Sequence, residues 1–125
     1  MGRILKSMTV QGDSFWTLFD TGSRKTYITP AVAKNTTVKE RRKPLKTKLG
    51  GETKISTQVA LIEAELDGFV FEIHAEVVDS IGNDGSERAI EILFGAIAMQ
   101  EYGIRPLPET EELDLSHYPE EFLEF

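Results

Sequence analysis

The sequence contains no cysteine, which excludes disulfides, thiolate metal sites and a cysteine nucleophile. Nowhere do 18 apolar residues run together, and the opening MGRILKSMTV lacks the apolar stretch of a secretory signal. Neither a membrane-spanning helix nor export is therefore expected. The start also misses the myristoylation pattern, because Lys6 stands where Ser or Thr is required. A reducing, cytoplasmic location is the default for such a chain. Histidine is scarce as well. His74 and His117 have no second imidazole or carboxylate at metal-ligand spacing, so no metal is expected. Gly50-Gly51 lacks the following Lys-Ser/Thr of a phosphate-cradling loop, and no nucleotide or other cofactor is expected.

Positive charge is in deficit: 14 Lys+Arg oppose 21 Asp+Glu, a net charge of −7. That balance argues against nucleic acid as a partner. The charges are segregated, however. Residues 24–54 hold ten of the basic residues, densest in KERRKPLK (Lys39 to Lys46). Pro44, polar flanks and the lack of interleaved aromatics mark this run as a solvated loop. From Glu101 onward eight acidic residues face only Arg105. Residues 109–125 accordingly read as an acidic tail following a domain at 1–108. Leu113, Leu115, Phe122, Leu123 and Phe125 leave open whether the tail docks or stays disordered.

What is present is enough for one globular core: 125 residues, 40% hydrophobic and 28% charged. The pattern is one of short strands. Ser14 to Phe19 is dense in aromatic and β-branched residues, and Tyr27 to Thr29 is a second β segment closed by Pro30. Leu45 to Leu49 runs into Gly50-Gly51, and ETKISTQVALIEAEL alternates with Ile55, Thr57, Val59 and Leu61 on one face. Asp67-Gly68 is a strong hairpin signal, after which Phe69, Phe71, Ile73, Ala75 and Val77 share a face. Ser80 to Arg88 reads as a loop and Ile90 to Phe94 as a buried strand. Ala96 to Tyr102 fits two helical turns ended by Gly103. An all-β chain with one short helix is expected, with Trp16 in its core.

The segment FWTLFDTGSRKTYI, Phe15 to Ile28, stands out. Asp20 ends an apolar strand, Gly22 permits a tight turn, and Thr21 and Ser23 carry hydroxyls able to bond nearby backbone or the carboxylate. By itself an Asp-Thr-Gly triplet is also what an Asx-turn looks like, with Asp20 capping backbone N–H groups and nothing more.

With its flanks, the segment resembles the active-site strand and loop of the single-motif, retropepsin-like aspartic proteases. A second stretch, EILFGAIAMQEYGI (Glu91 to Ile104), is similar to the apolar-apolar-Gly segment that threads behind the catalytic loop in that family. Between them, Leu49-Gly50-Gly51 sits where the family carries its flap. Arg24 and Lys25 depart from the pattern, since an acid is frequent there, and Ile97 replaces a usual Asp or Asn.

The resemblance implies a closed β-barrel-like acid-protease monomer with a flap hairpin and a short C-terminal helix. It implies an aspartic endopeptidase acting on extended peptide segments, with Asp20 as the catalytic carboxylate. Thr21 would lock the two catalytic loops, Gly22 would let substrate backbone approach, and Ser23 would hydrogen-bond the Asp20 carboxylate. Leu49, Gly50 and Gly51 would close over the peptide. Hydrolysis by this chemistry takes two carboxyls sharing a proton, and the chain has one such motif. A homodimer is therefore implied, its second Asp20 coming from another copy. Two rivals remain: a non-catalytic dimerisation or peptide-binding module with the same fold, and an unrelated small β-barrel with a capped strand end.

Overall fold

The structure, a computed structural model, describes residues 3–121. Strand β1 (Arg3–Val10) turns back through Gln11-Gly12 into β2 (Asp13–Asp20). Both turn residues have positive φ, +52° and +85°, the geometry that twists a two-residue hairpin correctly. The sequence reading missed β1 because its apolar residues are thinly spaced. Ile4, Met8 and Val10 are buried, while Arg3, Ser7 and Thr9 face water.

After β3 (Thr26–Ile28), Pro30 opens a four-residue helix, α1 (Pro30–Ala33), where its missing N–H costs nothing. Among the described residues there are thus two short helices, not one. Two long strands follow, β4 (Thr37–Leu49) and β5 (Glu52–Leu66), then β6 (Phe69–Val77). A small ladder joins β7 (Gly82–Asn83) to β8 (Ala89–Ile90), ahead of β9 (Ile92–Phe94) and helix α2 (Ala96–Glu101). A last hairpin pairs β10 (Arg105–Leu107) with β11 (Glu112–Asp114). Among the described residues no helix is long and apolar enough to cross a membrane.

The main sheet runs β1-β2-β9-β3-β6-β5-β4 and nearly closes on itself, because β5 also pairs with β1 through Thr9↔Glu65 and Val10↔Ala64. Its interior is packed with Phe19, Phe71, Phe94, Ile62, Ile92 and Met8. Phe94 lies 4.9 Å from Phe19 and meets Phe71 edge-on at 5.8 Å, spacings favoured between aromatic rings. Tyr102 and Tyr118 close one end of the barrel, both packed on Phe71, and Leu113 and Leu115 join them against the core. Leu113 and Leu115 in the acidic tail therefore dock; Phe122, Leu123 and Phe125 lie outside the described residues.

One expectation needs correction. The basic run is strand, not loop. Pairing of β4 with β5 holds to Glu40↔Gln58 and resumes at Leu45↔Ser56, so Pro44 falls in a bulge, where its missing N–H is tolerated. β4 is the edge strand, and a row of lysines and arginines there guards an unpaired edge against aggregation. On β5 the face bearing Ile55, Thr57, Val59 and Leu61 is the outer one: Ile55 is 61% exposed and Leu61 44%. Mostly small residues fill the buried face, with Ser56, Ala60 and Ala64 inside beside Ile62. Apolar periodicity alone does not mark the inner side, because the inner face is the less hydrophobic one.

Candidate active site

Asp20 ends β2, and three strands hold it in place. β9 lies between β2 and β3, parallel to the first (Phe19↔Phe94) and antiparallel to the second (Tyr27↔Leu93). The chain from β9 thus passes behind the 20–25 loop, and the two are stitched together. Ala96 N–H donates to the Ser23 carbonyl at 2.6 Å, Ile97 N–H to the Arg24 carbonyl at 3.1 Å, and Gly95 N–H to the Thr26 hydroxyl at 3.1 Å. Gly95 is obligatory here, since a Cβ would run into the Lys25 carbonyl.

Within the loop, Gly22 N–H donates to Asp20 Oδ1 at 2.8 Å, and Ser23 N–H to the Asp20 carbonyl at 3.1 Å. This is a tight Asx-type turn, and it aims the carboxylate. The Ser23 hydroxyl does not bond the carboxylate as expected. It donates to the Lys25 carbonyl at 2.9 Å, because the turn already brings the Gly22 amide to Asp20 and leaves Ser23 facing down the loop. Thr21 is exposed. On its other side Asp20 Oδ2 lies 3.7 Å from Arg3 Nε, an ion pair whose arginine is 59% exposed. Arg3 reaches it because the β1–β2 register sets Arg3 opposite Asp20.

Asp20, Gly22, Ser23, Leu49 and Gly50 all line one cleft of about 880 Å³. Its floor is a second apolar cluster containing Leu18, Tyr27, Leu49, Ile90 and Leu93. The β4–β5 hairpin also lines it, through Thr47 to Gly50 and Glu52. Gly50 and Gly51 carry φ of +58° and +85° at the tip, which Gly alone adopts without strain. Two contacts tether the hairpin's stalk: Tyr27 Oη to Thr47 Oγ1 at 3.1 Å, and Lys54 Nζ to Asp79 Oδ1 at 3.0 Å.

The sequence reading missed a further wall of the cleft. The 80–88 loop contributes Ile81, Gly82 and Asn83 to the cleft, and Trp16 anchors it. The indole Nε1 donates to Asp84 Oδ2 at 2.8 Å, and the Arg88 guanidinium sits 4.0 Å over the ring. Trp16 is a half-buried strut rather than deep core. The Ser86 hydroxyl and amide, then the Trp16 indole and Arg88 amide, hold the Asp84 carboxyl down at about 2 from its ordinary 3.8. From the sequence this segment could be recognised only as a loop.

The sequence pattern of the aspartyl proteases matches residues 7–96, and the chain belongs to that family. Its fold is that of the retropepsin-like branch. It is similar to the retroviral protease-like domain of Ddi1 from Leishmania major, with a TM-score of 0.64 at 11% identity, covering 91% of this chain and 88% of that one. It is also similar to EIAV protease, solved with the inhibitor HBY-793, with a TM-score of 0.55 at 16% identity, covering 84% of this chain and 92% of that one. Among curated proteins, none matches the sequence.

Proposed function

We propose that the chain is a homodimeric aspartic endopeptidase whose two Asp20 carboxylates meet across a two-fold axis. One observation carries the reading: Asp20 lines a cleft, its Oδ1 aimed by a main-chain amide, and a glycine-tipped hairpin lines the same cleft. Two carboxyls about 3 Å apart share one proton, as the aspartic-protease dyad illustrates. The ionised member takes a proton from water as the oxygen attacks the scissile carbonyl, and the protonated member donates to the carbonyl oxygen. Collapse of the tetrahedral species breaks the C–N bond, the amine leaving with a proton returned from the dyad. Gly22 leaves room for substrate backbone beside the carboxylates. Leu49, Gly50 and Gly51 fold over an extended peptide, which bonds in strand fashion. Thr21, free of the core, reaches the second copy's loop, while Ser23 braces its own.

Ile97 supports the pairing. It is 54% exposed on α2 beside the catalytic loop, an apolar side chain suited to burial against a second copy. The Arg3–Asp20 pair favours the rival reading of a non-catalytic module, since a cation occupies one carboxylate oxygen. A 3.7 Å pair with so exposed an arginine is worth at most about 1 kcal/mol, too little to keep Asp20 from its twin. The decisive experiment is Asp20→Asn. Peptide cleavage should fall by at least about 1,000-fold while light scattering still finds a dimer. Cleavage at the parent's rate would remove Asp20 from the chemistry, and a parent that binds peptides without cutting them would leave the module.

A further inference from the structure

The cleft is basic in a protein that is acidic overall. Arg3, Arg24, Lys25 and Lys48 line it against Asp20 and Glu52, although the chain carries a net −7. Among the described residues Arg24, Lys25 and Lys48 form no ion pair, whereas Arg41 and Lys54 are matched to Glu76 and Asp79. Arg24 and Lys25 are also rigidly mounted. Their carbonyls accept from Ile97 N–H and from the Ser23 hydroxyl, and Gly95 packs directly on the Lys25 main chain. These exposed like charges lining one cleft give it a positive field that favours an anion. The floor itself takes apolar side chains, through Leu18, Ile90 and Leu93.

From this we infer that the cleft selects extended peptides in which an apolar residue at the cleavage point is flanked by Asp or Glu, the acids being read by Arg24 and Lys25. The inference rests on the cleft being a peptide site, as proposed above. In a two-fold dimer the cations recur on both sides, so acids are favoured on both sides of the apolar pair.

The test uses three fluorogenic peptides sharing one apolar core, flanked by Glu, Gln or Lys, with the full-length chain. The Glu peptide should show kcat/KM about tenfold above the Gln peptide at low salt. That advantage should shrink in 0.5 M NaCl, where screening reaches only about 4 Å. The Arg24→Gln/Lys25→Gln variant should erase it, and Arg24→Glu/Lys25→Glu should favour the Lys peptide. Their main-chain anchors stay intact, and circular dichroism verifies folding. Equal rates for all three peptides, or a parent that prefers Lys, overturn the inference and leave the protease standing. If nothing is cut, fluorescence anisotropy of the same peptides decides. Tighter binding of the Glu peptide, lost in the double variant, keeps the inference while the protease reading fails. Equal binding, or binding matched by heparin as a generic polyanion, rejects it.

Discussion

Gly95 and Trp16 show how much of the site depends on residues that touch no substrate. At Gly95 any side chain collides with main chain, and main chain cannot swing aside as a long side chain does. Gly95→Ala should therefore cost about 3 kcal/mol, read as a lower urea midpoint with unchanged slope. Trp16 couples to Asp84, whose folded carboxyl is depressed to about 2. A depressed acid stabilises the fold above its unfolded value, and that contribution disappears as pH falls through the folded value. The 80–88 wall should hold firm above pH 4 and loosen toward pH 2. Trp16 fluorescence followed against pH should report a transition near 2 that Asp84→Asn removes. Were the transition to persist in that variant, the indole would be sensing something else.

At the scale of elements, the β4–β5 hairpin is the part proposed to close over substrate. Its tip needs two consecutive positive φ angles, and its stalk is tied down by Tyr27–Thr47 and Lys54–Asp79. Replacing Gly51 with Val places a β-branched residue at φ +85° and strains the tip by about 1–3 kcal/mol. The melting temperature should drop by several degrees, unless the exposed tip relaxes locally to relieve the strain. KM for peptide should rise several-fold, and protease nicking at 49–52 should quicken. Unchanged KM would mean that the hairpin does not close over substrate. The same hairpin separates legible from illegible structure. Gly50-Gly51 and Asp67-Gly68 announced their turns because left-handed backbone favours particular residues. Gln11-Gly12, a turn of similar geometry, went unread because Gln is rare there, and β1 went with it.

For the whole molecule the question is pairing. A monomer of this size offers one Asp-Thr-Gly, so activity and association should rise and fall together. Ile97→Asp places a charge where a second copy would bury an apolar side chain, and burying an unpaired charge costs several kcal/mol. Sedimentation should find that variant monomeric at concentrations where the parent is dimeric, with peptide cleavage lost in parallel. A dimeric, active Ile97→Asp would move the interface elsewhere.

Strand content, the Asp20 turn, the Gly50-Gly51 turn and the family could all be read from the chain, because each rests on local backbone geometry or on a short run of neighbours. Which face of β5 points inward, that the basic run forms a bulged edge strand, and that Arg3 reaches Asp20 could not. Those depend on register, and register is decided only when the ring of strands closes through β5 and β1. The placement of the 80–88 loop against the cleft belongs to the same group. Its anchor joins residues 68 positions apart, a contact that no local pattern encodes and that packing alone creates.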